Sequence, residues 1–100
     1  MSEEVHAKYP GGDEEAKQAA LPVIAELLDK GTRAYAMEDW EMAVEAFGDM
    51  SSVTEKAFGS ESLRYADALV MYGRALVQNA ISNINMLAES AMEKITSKGK

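Results

Sequence analysis

The sequence of 100 residues contains no cysteine, which excludes disulfides and thiolate chemistry. It contains one histidine, His6, in a polar amino-terminal stretch. A histidine-rich zinc site is therefore excluded, and a Ser-His-Asp triad would have to be built on that single residue. No catalytic residue, metal or cofactor is expected. No stretch approaches about 18 uninterrupted apolar residues, so no membrane span is expected. The opening Met1-Ser2-Glu3-Glu4 places acid where a secretory signal would place basic and apolar residues, so an intracellular site is the default expectation. Basic residues are scarce as well: ten Lys and Arg face seventeen Asp and Glu, a net charge of -7. A chain of that sign repels phosphate backbones and anionic lipid and attracts basic partners. Nucleic acid and membrane surfaces are thus unsuitable ligands.

What is present is 47% hydrophobic and 27% charged, the balance of one folding domain. Strand-like alternation is absent and alanine is abundant, so the fold class is all-α. Residues 1–12 read as an arm ending in the turn cluster Tyr9-Pro10-Gly11-Gly12. Asp13 is a suitable N-cap, with Glu14 and Glu15 where the helix dipole favours negative charge. Because proline suits only the first turn of a helix, Pro22 predicts a short lead over 13–20 and a proper helix over 22–37. Ile24, Leu27, Leu28, Ala34, Tyr35 and Met37 give that helix its apolar stripe. Glu38-Asp39 is the turn. A second helix follows over 40–57, with Trp40, Ala43, Val44, Phe47, Met50, Val53 and Phe58 inward. Gly59 ends it, and Ser60-Glu61-Ser62 offers caps for a third. The third helix is expected to bury Leu63, Ala66, Leu69, Val70, Tyr72, Gly73, Leu76, Val77 and Ala80. Its Ser82-Asn83-Ile84-Asn85 stretch is poor helical sequence and predicts a division near residue 83. The domain is thus 13–96, one full helical repeat plus the start of a second, with 97–100 as a tail. Six methionines at helical spacings (Met37, Met42, Met50, Met71, Met86, Met92) read as loose core filling rather than as an adaptable binding surface.

Two glycines sit alike in their helices, in Leu27-Leu28-Asp29-Lys30-Gly31 and Leu69-Val70-Met71-Tyr72-Gly73. Ala43 and Phe47 fall 12 and 16 residues after the first, one turn apart on the partner helix and facing the gap that Gly31 leaves. Gly31, Tyr35, Trp40, Ala43 and Phe47 resemble the tetratricopeptide (TPR) repeat, an antiparallel helix-turn-helix. The second glycine comes 42 residues after the first, not the usual ~34, so the second helix is lengthened. With Phe58-Gly59 and Tyr72-Gly73-Arg74-Ala75-Leu76, the order over roughly residues 22–87 resembles the amino-terminal TPR portion of the SHNi-TPR family. These are histone chaperones of the nuclear autoantigenic sperm protein (NASP) type and their fungal relatives. The resemblance implies a non-catalytic module that binds histone H3, or H3–H4, in the nucleus and also in the cytoplasm. No nuclear-localisation cluster is present, so nuclear placement rests on the resemblance.

By the same resemblance the first helix of each repeat lines a concave surface. Ligand-facing positions then fall on Thr32, Tyr35 and Ala36, and on Asp67, Val70, Arg74 and Gln78. Tyr35 and Tyr72 also read as core aromatics, and Trp40 and Phe47 as core. Residues 38–67 hold eight acids against Lys56 and Arg64. Among them Glu38, Glu41, Glu45 and Asp49 share spacings of three and four and form a stripe on the second helix, with Asp39 beside it. The stripe suits a basic partner, and equally suits a solvated face. Two rival readings stand beside the chaperone. A generic TPR adaptor that clamps a terminal carboxylate would need Lys and Asn where Leu28 and Thr32 stand. A helical self-association module, a homodimer, follows from the apolar face that a lone repeat leaves uncovered. Folding residues 84–96 back as a cap is the other way to cover that face.

Overall fold

The computed structural model describes residues 14–98 as three helices, and the side chains of 14–96. They are α1 (Glu14–Ala36), α2 (Trp40–Phe58) and α3 (Leu63–Lys98). The arm 1–12 and Asp13 lie outside the described residues. Within 14–98 the all-α, TPR-like reading with a long third helix holds. Helix α2 packs against α1 on one side and against α3 on the other.

The turn between α1 and α2 is short, residues 37–39. The Asp39 N–H donates to the Ala34 carbonyl at 2.8 Å and the Glu38 N–H to that of Tyr35 at 3.1 Å, a Schellman pair. Glu38 sits at φ 60°, the left-handed position where glycine is usual. Asp39 at once caps α2, its carboxylate accepting from the Met42 N–H at 3.3 Å. At the other end Gly59 has φ 96° and ψ 156°, a region open essentially to glycine alone, and its N–H donates to the Glu55 carbonyl at 2.8 Å. Ser62 then caps α3, its hydroxyl oxygen accepting from the Tyr65 N–H at 3.2 Å. Phe58 ties the three helices at this end. The Arg64 guanidinium lies 4.9 Å and the Lys17 ammonium 6.0 Å from its ring centroid.

Small side chains make the core, so the helices approach closely. Ala34, Ala43, Phe47, Met50, Ala68 and Ala75 form one buried cluster, with Ile24, Leu27, Tyr35, Val44, Met71 and Tyr72 packed around it. Gly31 is what lets Phe47 in: a Cβ there would fall 2.5 Å from the ring. Two hydroxyls in this interior are satisfied within α2, Ser51 donating to the Phe47 carbonyl and Thr54 to that of Met50.

Five expectations are corrected. Helix α1 runs through Pro22 without a division. The missing N–H forfeits one bond to Gln18, but Ala20 is buried and Lys17 reaches Phe58, so tertiary contacts hold the first turns in place. Helix α3 likewise does not divide near 83, and it reaches Lys98. It does not fold back: residues 83–96 are exposed throughout, and the molecule extends 77 × 22 × 14 Å. The face of α3 that meets α2 is also not the expected one. Ala68 and Ala75 are buried with Met71 and Tyr72 half-buried, while Leu63, Leu69, Val70, Leu76 and Val77 are exposed. Among the methionines only Met50 is buried and Met71 half-buried; Met37, Met42, Met86 and Met92 are exposed. The core-filling reading fails for those four.

Candidate protein-binding trough

Helices α1 and α3 run parallel, with α2 antiparallel behind them, and the space between the outer pair is a trough. Its upper hollow, about 290 Å³, is bounded by Thr32, Tyr35 and Ala36 of α1, Phe47 of α2, and Met71 and Arg74 of α3. Its lower hollow, about 200 Å³, is bounded by Ile24 and Leu28, by Met50 and Thr54, and by Arg64, Asp67, Ala68 and Met71. Met71 is common to both and makes them one channel. The helical period explains the assembly: Asp67, Met71 and Arg74 are spaced four and three, so they share the face of α3 that looks toward α1. Tyr35 is fixed edge-on against Trp40, ring centroids 5.0 Å apart at 78°, which sets the upper rim.

The nine singled-out residues separate into four places. Tyr35, Asp67 and Arg74 line the trough, as do the neighbouring Thr32 and Ala36. Gln78 and Glu38 line a different hollow of about 320 Å³, beyond the α1–α2 turn, with Trp40, Ile81, Ser82, Asn85, Met86 and Glu89. Glu41, Glu45 and Asp49 are exposed on α2, spaced by four along the side opposite Phe47 and Thr54. They lie on the convex back of the molecule. Asp39 is the cap described above, and its carboxylate faces the helix it starts. Val70, also expected to face the ligand, is 54% exposed and lies outside the trough.

The charges of the trough are consequently not those of the chain. Its walls carry Arg64, Asp67 and Arg74 around an apolar floor, whereas the excess acid sits elsewhere. On the outer side of α1, Arg33 is engaged by Asp29 one turn earlier. The hydrogen bond, and then the attraction of the carboxylate, hold that guanidinium above its ordinary pKa. The sequence reading missed Met71, Met50, Arg64, Ile24, Leu28 and Thr54 as trough residues. For Met71 the signal was present, since it lies between Asp67 and Arg74 on one face. Thr54 and Met50 carry no mark that separates floor from core.

A trough between parallel helices backed by an antiparallel one is the arrangement of a TPR-like helix-turn-helix fold. Comparison of sequences gives the lineage: the chain is related to the SHNi-TPR histone chaperones of the NASP type. It is 37% identical over 67 residues to NASP-related protein sim3 of Schizosaccharomyces pombe, a match covering 67% of this chain and 17% of that protein. The chain thus spans about a sixth of the length of the relative it matches. No protein-family profile matches the chain, and no solved structure does. Among the described residues no helix is long and apolar enough to cross a membrane.

Proposed function

We propose that this chain is a non-catalytic histone-binding module that takes histone H3, alone or with H4, in its trough, and that it acts in the nucleus and on the way there. The observation that carries the reading is the trough itself: two apolar hollows in line, joined at Met71, with Arg74 and Asp67 on the wall. That arrangement suits a helix or extended segment placing two apolar side chains in succession, its polar groups set by Arg74 and Asp67. The convex acids Glu41, Glu45 and Asp49 supply a separate attraction for the remaining basic surface of the same partner. Lineage supports the same reading, since the related family consists of histone chaperones. A carboxylate-clamping adaptor is disfavoured because Leu28 and Thr32 line the trough where the clamp would need Lys and Asn.

The test is titration with H3–H4 and, separately, with the other core-histone pair, at low and high salt. Met71→Glu would spoil the floor of the trough, and the pair Glu41→Gln with Glu45→Gln would thin the convex stripe. Preference for H3–H4 that persists at high salt and falls at least about tenfold with Met71→Glu is the expected result. The convex pair should weaken binding chiefly at low salt, because exposed charges are screened. Equal affinity for both histone pairs, vanishing with salt and indifferent to Met71, would overturn recognition in the trough.

A further inference from the structure

We infer that the upper hollow of the trough reads a carboxylate: Arg74, Tyr35 and Thr32 take the side chain of one Asp or Glu in the bound segment. Asp67 takes a basic side chain further along the same segment. This rests on the trough being the ligand site, and not on which protein supplies the ligand.

The polar groups around this hollow are suited to an anion. Arg74 brings a guanidinium and Tyr35 and Thr32 bring hydroxyls, while Ala36, Phe47 and Met71 are apolar. No carboxylate lines it, in a chain whose seventeen acids outnumber its ten bases. Hydroxyls also accept hydrogen bonds, but a guanidinium only donates, and its planar fork matches a carboxylate with two parallel bonds. An acidic side chain suits both parts of the hollow, its methylenes over Phe47 and Met71 and its oxygens toward the donors. A chain-terminal carboxylate lacks that stem.

None of these charges is spent on the fold. Arg33 is engaged by Asp29, and Arg64 lies 4.9 Å from the Phe58 ring centroid. Arg74 and Asp67 have no hydrogen-bond or ion-pair partner among the described residues. Arg74 is also the one charged residue between positions 68 and 88. Asp67 stands seven residues before it, two turns or about 10 Å of helix, with Met71 between them. About three residues of extended chain cover the same distance. A bound segment thus meets a cation on one side of Met71 and an anion on the other, and the order of its own charges fixes its direction.

The arrangement selects among basic partners. A net charge of -7 attracts any polycation. A segment that is basic throughout would set a like charge against Arg74, whereas one carrying an acid in register would not. Arg74 is in this way the residue that determines specificity.

Selection of ten-residue random peptides on the full chain tests this, each peptide fused to its carrier through the carboxyl end so that no terminal carboxylate is free. The recovered sequences should hold one Asp or Glu at a fixed distance from a Lys or Arg, with an apolar residue between. Replacing that acid by its amide should raise the dissociation constant of the synthetic peptide at least about tenfold. Arg74→Glu, at an exposed position, should keep the helical circular dichroism and return sequences with Lys or Arg in place of the acid. Arg33→Glu makes the same change of charge on the outer side of α1 and should leave the pattern as it was. Recovery of no peptide, of peptides basic throughout, or of one pattern from wild type and Arg74→Glu alike would overturn the inference. A shift as large with Arg33→Glu would do so too, since net charge alone would then be responsible. Titration with H3–H4 separates this from the proposed function. Acid-bearing peptides recovered by a chain that does not bind H3–H4 would uphold the subsite and sink the histone reading. Binding of H3–H4 with no acid in the recovered pattern would do the reverse.

Discussion

Three helical glycines allow the packing to be tested by one substitution repeated at three places. In the interior of a helix, alanine is more favourable than glycine by about 1 kcal/mol, whatever surrounds it. The surroundings differ in a graded way. At Gly31 an added Cβ would stand 2.5, 2.7 and 2.8 Å from three atoms of the Phe47 ring. That ring is 4% exposed, so relieving the overlap must move a core aromatic or part α1 from α2. Overpacking of this kind costs about 1–3 kcal/mol, and a contact this short belongs at the upper end. The net for Gly31→Ala is a loss of about 2 kcal/mol. At Gly48 the nearest atom is Tyr72 Cε1 at 3.1 Å, on a half-buried ring that can swing outward. The two effects nearly cancel there, leaving Gly48→Ala within about 0.5 kcal/mol of neutral. At Gly73 nothing opposes the helical gain, and Gly73→Ala should stabilise the single chain by about 1 kcal/mol. Urea unfolding followed by helical circular dichroism reads all three. With a slope near 1 kcal/mol per molar, the midpoints should move by about -2, 0 and +1 M. If Gly31→Ala stabilised as much as Gly73→Ala, Phe47 would not be nested on Gly31, and the α1–α2 packing described above would be wrong.

Three further substitutions address the helix ends and the proline. Asp39→Ala should cost about 1 kcal/mol in the same urea assay by removing the cap of α2, and Asp39→Asn should cost little. Glu38→Gly should raise stability by roughly 0.5–1 kcal/mol, seen as a higher melting temperature, because the side chain is held at φ 60°. Pro22→Ala should stabilise by about 1–3 kcal/mol, since α1 is continuous across that position, and the backbone N–H it introduces at position 22 should be protected from hydrogen exchange. An unprotected amide at 22 would show that the helix divides there after all.

Fold class and turns were legible because they rest on local chemistry. Gly59 and Ser62 each have one residue type suited to one job, and each performs it, whereas Asp39, expected in the turn and on the acidic surface, is the cap of α2. The Gly31–Phe47 contact was legible too, since a small residue and an aromatic at the right offsets need little context. The bearing face of α3 was not. That helix carries two apolar lines, one of large residues through Val70 and Val77, one of mostly small residues through Ala68 and Ala75. Periodicity finds both, and the larger side chains look like the better core. What decides is the spacing imposed by α2, whose own Ala43, Ala46 and Phe47 demand a close neighbour. The missing break at residue 83 has a similar cause. Asn83 and Asn85 weaken a helix without stopping it, and no residue between Leu63 and Thr96 takes positive φ.

The division of charge has a consequence for how a basic partner would be held. Had Glu41, Glu45 and Asp49 lined the trough, attraction and fit would act at one place and fall together. They lie instead on the opposite side of α2 from Phe47, about the diameter of a helix away from the channel that Met71, Tyr35 and Arg74 define. Long-range steering depends on the summed field and tolerates that displacement, so the acids can speed encounter from the back. Retention depends on apolar contact and on Arg74 and Asp67, which salt screens far less once a ligand covers them. Association rates should therefore fall steeply with salt and respond to Glu41→Gln and Glu45→Gln. Dissociation rates should barely change with salt and respond to Met71→Glu. A partner whose two rates both followed the convex acids would be held by charge alone, and the trough would have no part in its binding.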